Sequence, residues 1–126
     1  MSRILCALVF LAVGGCGGGS EAIRRGVGAE CNANLACTES GQVCLTEFKG
    51  GYCGVSACLH DSDCPGGSAC VTDGDTQINY CFLICVDKVD CNPHRSVDNE
   101  SSCTSSLTFV DGTMGLKVCR PPLSGT

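Results

Sequence analysis

The chain has 126 residues, of which 14 are cysteines, while aromatic residues make up 5 % and tryptophan is absent. Such a cysteine content in a short chain is typical of proteins held together by disulfides, and with so few large apolar side chains we expect no continuous hydrophobic core. The formal net charge of −5 argues against a nucleic-acid partner and against electrostatic binding to anionic lipid.

The first 20 residues, MSRILCALVFLAVGGCGGGS, have the pattern of a secretory signal. Arg3 precedes an apolar run of ten residues, which is too short to cross a bilayer as a helix of about 20 residues. The end of the signal, Val13-Gly14-Gly15-Cys16, resembles the lipobox of bacterial lipoproteins. The resemblance implies a signal peptide over residues 1–15 and a membrane anchor of acyl chains, such as palmitate, on Cys16. Because Gly17 rather than Asp follows the cysteine, it also implies the outer membrane.

Residues 16–30 are predicted to be the lipidated cysteine followed by a flexible linker, since Gly17-Gly18-Gly19-Ser20 has the composition of a tether. Removal of Cys6 with the signal and acylation of Cys16 leave twelve cysteines, an even number that suits complete disulfide pairing. The alternative is an ordinary secreted protein whose cleaved signal leaves Cys16 as a structural thiol.

The twelve remaining cysteines form three groups of four, and each group begins 27 residues after the previous one. This repetition predicts module 1 over residues 31–57, module 2 over 58–84 and module 3 over 85–126, the last with an insertion at 92–102. Other positions repeat as well, because Asp63 and Asp90 precede the second cysteine and Tyr52 and Tyr80 precede the fourth. The disulfide cysteines are Cys31, Cys37, Cys44, Cys53, Cys58, Cys64, Cys70, Cys81, Cys85, Cys91, Cys103 and Cys119.

Each module contains a predicted β-hairpin whose turn is rich in glycine. The paired segments are 43–48 with 52–55, 69–72 with 78–83, and 107–110 with 116–119. The expected fold class is therefore small and disulfide-rich, with three tandem β-hairpin modules and little regular secondary structure, preceded by a signal peptide and a flexible tether. A lone hairpin is marginal in water, so two disulfides in each module supply the missing stability.

Module 2 begins CLHDSDCPGGSAC, which resembles the CxxDxDCPGxxKC stretch of whey-acidic-protein four-disulfide domains. The resemblance implies the pairs Cys58–Cys70 and Cys64–Cys81. Extended to all modules, this is a first-to-third and second-to-fourth pattern. The alternative joins the first cysteine to the second and the third to the fourth across the hairpin.

The sequence offers little support for metal or catalytic chemistry. No two cysteines have the two-residue separation typical of zinc knuckles, and we expect no metal and no cofactor. Asp61, Asp63, Asp73 and Asp75 leave calcium binding as an open alternative. The only histidines, His60 and His94, lie in no known nucleophile motif, so we predict no catalytic residue and no enzyme.

These observations predict an outer-membrane lipoprotein that faces the periplasm or the cell surface and has a binding or structural role. Its partners would be the membrane, through Cys16, and an unidentified protein or envelope component that contacts the loops. The main alternative is a protease inhibitor acting through a disulfide-held loop, with Leu35 or Leu59 as the primary contact. A third possibility is a metal or oxidative-stress buffer.

Overall fold

The structure, a computed structural model, describes residues 21–24, 26–32, 37–112 and 114–125. The fold is small and disulfide-rich, with almost no helix and mostly short antiparallel strands, and this confirms the predicted fold class. The helix and strands are α1 (Glu21–Arg24), β1 (Val43–Cys44), β2 (Cys53–Gly54), β3 (Ser68–Thr72), β4 (Asn79–Cys85), β5 (Ser102–Thr104), β6 (Thr108–Phe109) and β7 (Lys117–Arg120). Three short 3-10 helices span Asp61–Asp63, Lys88–Cys91 and Val97–Asn99.

All three modules have the same crossed pairing of cysteines. The first cysteine bonds the third and the second bonds the fourth, as the resemblance implied, and the first-to-second alternative is not formed. The six disulfides are Cys31–Cys44, Cys37–Cys53, Cys58–Cys70, Cys64–Cys81, Cys85–Cys103 and Cys91–Cys119. In each module the third and fourth cysteines also lie opposite each other on paired strands, as Cys44 and Cys53, Cys70 and Cys81, and Cys103 and Cys119.

The third predicted hairpin is wrong, although the first two are present. Strand β6 pairs with β3 of module 2, and β7 pairs with β4 and β5, so the turn at Asp111-Gly112 does not join two paired strands. The physical reason is that the outer edges of β3 and β4 carry backbone groups that need partners. Modules 2 and 3 consequently share one five-stranded sheet in the order β5-β7-β4-β3-β6, and β1 with β2 forms a separate ribbon.

One core runs through all three modules, which corrects the expectation that a continuous core would be absent. Its centre is four buried aromatic rings, Phe48, Tyr52, Tyr80 and Phe82, with neighbouring centroids 5.0–6.0 Å apart. Tyr52 and Tyr80 occupy the same place in their modules, before the fourth cysteine, and Val118 occupies it in module 3; all three are fully buried. Because the repeat places one large side chain per module on the core side, few aromatic residues suffice.

The described part of the predicted flexible linker belongs to this core, which corrects the expectation that the linker extends to residue 30. Ala22 and Val27 are buried, and the backbone N–H of Ala22 donates to Gly66 O at 2.7 Å. The segment also pairs with β2, since Gly28 N donates to Cys53 O and Cys53 N donates to Ala29 O, at 2.9 and 3.0 Å. The edge of the β1–β2 ribbon supplies backbone partners that a sequence pattern does not reveal.

Candidate functional site

The loop between the first two cysteines of module 2, residues 58–64, is a hydrogen-bonded turn with an exposed apolar side chain. One carboxylate oxygen of Asp63 accepts hydrogen bonds from the backbone N–H groups of Leu59 and His60, at 2.9 and 3.1 Å. These two bonds lower the pKa of Asp63. The backbone is thereby fixed before the 3-10 turn begins, and the side chain of Leu59 remains 69 % exposed.

Module 3 repeats this loop at residues 85–91. Asp90 accepts from the N–H groups of Val86 and Asp87, at 3.0 and 2.9 Å, and these bonds lower the pKa of Asp90. Val86 holds the position of Leu59 and is 70 % exposed. The aspartates that recur before the second cysteine are therefore caps that shape the loop, and the aliphatic residue after the first cysteine is its exposed feature. We call residues 58–64 and 85–91 the two cystine loops.

The cystine loop of module 2 is also attached to module 3. Asp111, beyond β6, accepts from the backbone N–H of Asp61 at 2.7 Å, and its other oxygen lies 3.0 Å from His60 Nδ1. The hydrogen bond to Asp111, with the added charges of Asp111, Asp63 and Asp61, raises the pKa of His60. The bond from Asp61 N and then that from His60 lower the pKa of Asp111. His60 thus joins two modules on the outer surface of the protein.

The Asp73–Asp75 turn of module 2 makes a second contact with module 3. Arg120 Nε donates to Asp73 Oδ1 at 2.8 Å, and Arg120 Nη2 donates to Asp73 Oδ2 and Asp75 Oδ2 at 3.2 and 2.9 Å. Burial by itself would raise the pKa of Asp73, but the bonds from Arg120 and from the N–H of Thr76 bring it below the ordinary value. The side chain of Asp73 is fully buried, so this ion pair replaces its lost hydration.

These contacts weaken the calcium alternative. The carboxylate of Asp61 accepts from Cys70 N at 2.9 Å, and Asp63, Asp73 and Asp75 are engaged as described. Within the described residues, the groups of three that are spaced to hold one ion consist of cysteines alone, and every sulfur in those groups is in a disulfide. Carboxylates from three residues therefore do not converge on one point in the part of the chain that the structure describes.

Arg95 is the residue that sequence reasoning missed. It lies in the insertion of module 3, is 9 % exposed, and donates to the backbone carbonyls of Gly28, Gly51, Lys49 and Asn99 at 2.6–2.9 Å. Desolvation lowers the pKa of Arg95. In the sequence, Arg95 directly follows Asn-Pro-His, a stretch typical of turns. That context does not indicate that the arginine is buried. Arg95 connects module 3 to module 1 and to the segment before it.

The remaining predicted sites divide between described and undescribed residues. All twelve predicted disulfide cysteines are bonded, whereas Cys16, the predicted lipidation site, and Leu35 lie outside the described residues. No helix among the described residues is long and apolar enough to span a bilayer. Comparisons with protein-family models, with curated proteins and with solved structures find no match to this chain.

Proposed function

We propose that this chain is a lipid-anchored outer-membrane protein that binds a protein partner through its two cystine loops and has no catalytic role. The observation that carries the proposal is the repetition of one exposed arrangement. Leu59 and Val86 follow the first cysteine of their loops, are 69 % and 70 % exposed, and sit on backbones fixed by Asp63 and Asp90. Core packing explains neither side chain, since both point to solvent.

The physical properties of the loops suit recognition. Burying an aliphatic side chain of this size at an interface contributes roughly 1.5–3 kcal/mol. A loop that is already ordered loses little conformational entropy on binding, so more of that free energy remains as affinity. Asp61 and Asp63 in the loop of module 2 favour a partner with positive charge around an apolar pocket, while in the other loop Lys88 offsets part of the charge of Asp87 and Asp90.

The binding proposal is tested by placing a photo-reactive amino acid at Leu59, at Val86 and, as a control, at Val97. Val97 is 83 % exposed and lies outside both loops, so it matches their exposure and differs in location. After irradiation of intact cells we expect one discrete adduct of the same mass increment from positions 59 and 86, and none from 97. Equal adducts at all three positions, or none at 59 and 86, would contradict a role for the loops.

The membrane anchor rests on the lipobox resemblance at Val13-Gly14-Gly15-Cys16. The variant Cys16→Ser is expected to leave the membrane fraction and to lack the mass of the acyl chains, because the thiol is the point of attachment. If it stayed membrane-bound with the mass of the wild-type protein, the anchor would be elsewhere and this half of the proposal would be wrong. The loop experiment is independent of this result.

Protease inhibition is the second candidate, and the exposure of Leu59 in a loop whose two end residues are both held by disulfides favours it. His60, the next residue, has extended backbone angles (φ −148°, ψ 162°), as a substrate-like segment requires, although a 3-10 turn begins at Asp61. Inhibition of a serine protease that accepts leucine, lost in Leu59→Gly and retained in Val97→Gly, would support this function. Absence of inhibition across a panel of serine proteases would remove it.

A further inference from the structure

The two disulfides of module 2 lie side by side. The sulfur atoms of Cys58, Cys64 and Cys81 are all within 4.8 Å of one another, although Cys58 is bonded to Cys70 and Cys64 is bonded to Cys81. Of the four sulfurs, Cys70 is outside this close group. A thiolate formed at Cys58 would therefore lie next to both sulfurs of the other disulfide, and a thiolate at Cys81 would lie next to the sulfur of Cys58.

The strand register provides a second route between the two disulfides. Cys70 on β3 and Cys81 on β4 are directly opposite. Their backbone groups face away from each other, since Cys81 N donates to Val55 O and Val110 N donates to Cys70 O, both at 3.0 Å. This marks a non-hydrogen-bonded pair, in which the Cα atoms are typically about 4.5 Å apart and the side chains share a face. That separation is within the range that a disulfide spans.

From this geometry, which Cys31, Cys37 and Cys53 repeat in module 1, we propose that module 2, whose loop exposes Leu59, is a thiol–disulfide exchange site that converts between two pairings with a small thiol as co-reactant. The first pairing is Cys58–Cys70 with Cys64–Cys81, which the structure contains. The second is Cys58–Cys64 with Cys70–Cys81. Cys64 is the point of entry because its side chain is partly exposed, whereas Cys58, Cys70 and Cys81 are buried.

The exchange balances without net oxidation or reduction. The external thiolate attacks Cys64 Sγ, breaks the bond to Cys81 and leaves a mixed disulfide on Cys64. The Cys81 thiolate attacks Cys70 Sγ, forms Cys70–Cys81 and releases the thiolate of Cys58. That thiolate attacks Cys64 Sγ, forms Cys58–Cys64 and returns the external thiolate. Each step makes one S–S bond and breaks one.

The second pairing closes the cystine loop of module 2 on itself. A direct Cys58–Cys64 bond joins the ends of the segment that carries Leu59 and Asp63. If the loop binds a partner as proposed above, the exchange would alter the loop that holds that partner. This consequence rests on the proposed binding function, whereas the exchange itself does not. The exchange is thus a chemical means of regulating that loop.

Two double variants of the full chain test which sulfurs can meet. Cys58→Ala with Cys64→Ala leaves Cys70 and Cys81, which face each other, and we expect a disulfide and no free thiol. Cys58→Ala with Cys81→Ala leaves Cys64 and Cys70, which are not opposite each other on paired strands and do not share the close group of sulfurs, and we expect two free thiols. Alkylation followed by intact mass under non-reducing conditions gives the thiol count. A disulfide in both variants, in neither, or in the second alone would overturn the proposal.

The wild-type protein provides a test that does not depend on folding of a variant. It is incubated without denaturant with reduced glutathione at less than one equivalent, alkylated and mapped by peptide mass. We expect new disulfide-linked peptides that contain Cys58–Cys64 and Cys70–Cys81. The number of free thiols on the protein should not increase as these peptides accumulate, and no disulfide should join two modules. If only the original pairs are found, or if inter-module pairs appear as often, the exchange site does not exist.

Discussion

The guanidinium of Arg95 lies over the ring of Tyr52, with its central carbon 6.0 Å from the ring centroid. Tyr52 belongs to module 1 and Arg95 to module 3, so the contact joins the two ends of the repeat. Burial raises the pKa of Tyr52 to about 12, and the phenol, which stays neutral, accepts a hydrogen bond from Leu83 N at 3.2 Å. A cation, an aromatic face and several backbone carbonyls therefore meet where the three modules pack together.

Replacement of Arg95 should destabilise the protein strongly. Arg95→Ala leaves four backbone carbonyls without their donor, and removing a buried charged partner typically costs about 3 kcal/mol or more. Arg95→Lys should recover only part of this loss, because an ammonium lacks the planar fork that reaches several carbonyls. Urea unfolding with the disulfides intact gives the difference in free energy of unfolding.

Lys88→Ala is the matched control for Arg95. Lys88 lies in the same module and forms an exposed ion pair with Glu100 at 3.0 Å. Exposed pairs of this kind contribute between 0 and about 1 kcal/mol. Equal losses of stability in Arg95→Ala and Lys88→Ala would show that the buried guanidinium is not the connection between modules.

Gly51 should tolerate no side chain. It has a φ of +70°, and a Cβ there would lie 2.2 Å from Cys31 O and 2.7 Å from Cys31 Sγ. We expect Gly51→Ala to prevent or displace the Cys31–Cys44 disulfide, which a free-thiol count on the purified protein would reveal. Gly112→Ala is the control, because Gly112 has the same φ of +70° but nothing within 4 Å of a Cβ. Gly112→Ala should lower the free energy of unfolding by only about 1 kcal/mol, because of the strained backbone, and should keep every disulfide. Equal numbers of free thiols in the two variants would contradict the steric argument.

The Asp73–Arg120 ion pair should make stability depend on acid. The pKa of Asp73 is lowered in the folded protein, so the ionised carboxylate stabilises the fold above its unfolded pKa of about 3.9, and this contribution is lost as the pH falls through the folded pKa. Asp73→Asn should be less stable than wild type at pH 7, by about 2 kcal/mol, and should lose less on acidification. Asp75 is exposed and pairs with the same arginine, so Asp75→Asn should change the free energy of unfolding little. Parallel curves of unfolding free energy against pH for wild type and Asp73→Asn would refute this account.

The contact between His60 and Asp111 should respond to pH in the opposite direction. The raised pKa of His60 means that the charged pair stabilises the fold fully below the unfolded pKa of about 6.5, and that this contribution disappears as the pH rises through the folded value. An NMR titration of the His60 imidazole should give a lower pKa in Asp111→Asn than in wild type. Asp98→Asn, which removes an acid that does not face His60, should leave the titration unchanged. The charged groups facing His60 are Asp111, Asp63 and Asp61, and an unaltered titration in Asp111→Asn would rule out the contact.

Some features of the chain could be read directly from residue spacing. The 27-residue period marks the three groups of four cysteines, and the Gly-Gly and Asp-Gly turns predict the ribbons β1–β2 and β3–β4, because these depend on neighbours in the chain. The crossed disulfides came from the likeness of one stretch of module 2 to another family, and spacing alone left the alternative pairing open. The sequence suggests Leu59 as a contact residue. That Val86 repeats its position is evident only from the structure, where Asp63 and Asp90 accept the same hydrogen bonds in both loops.

The three groups of four cysteines and the turns between them follow from the sequence alone, since they are local properties, whereas the pairing within each group does not. Only the tertiary structure decided how the modules join. Strand β6 leaves its own module for β3, Arg120 reaches Asp73, and Arg95 reaches Gly28 and Gly51. Each of these contacts satisfies a backbone edge or a buried charge across 36 to 67 residues of chain. No local pattern encodes such a partner, because it exists only once the other modules have folded against it.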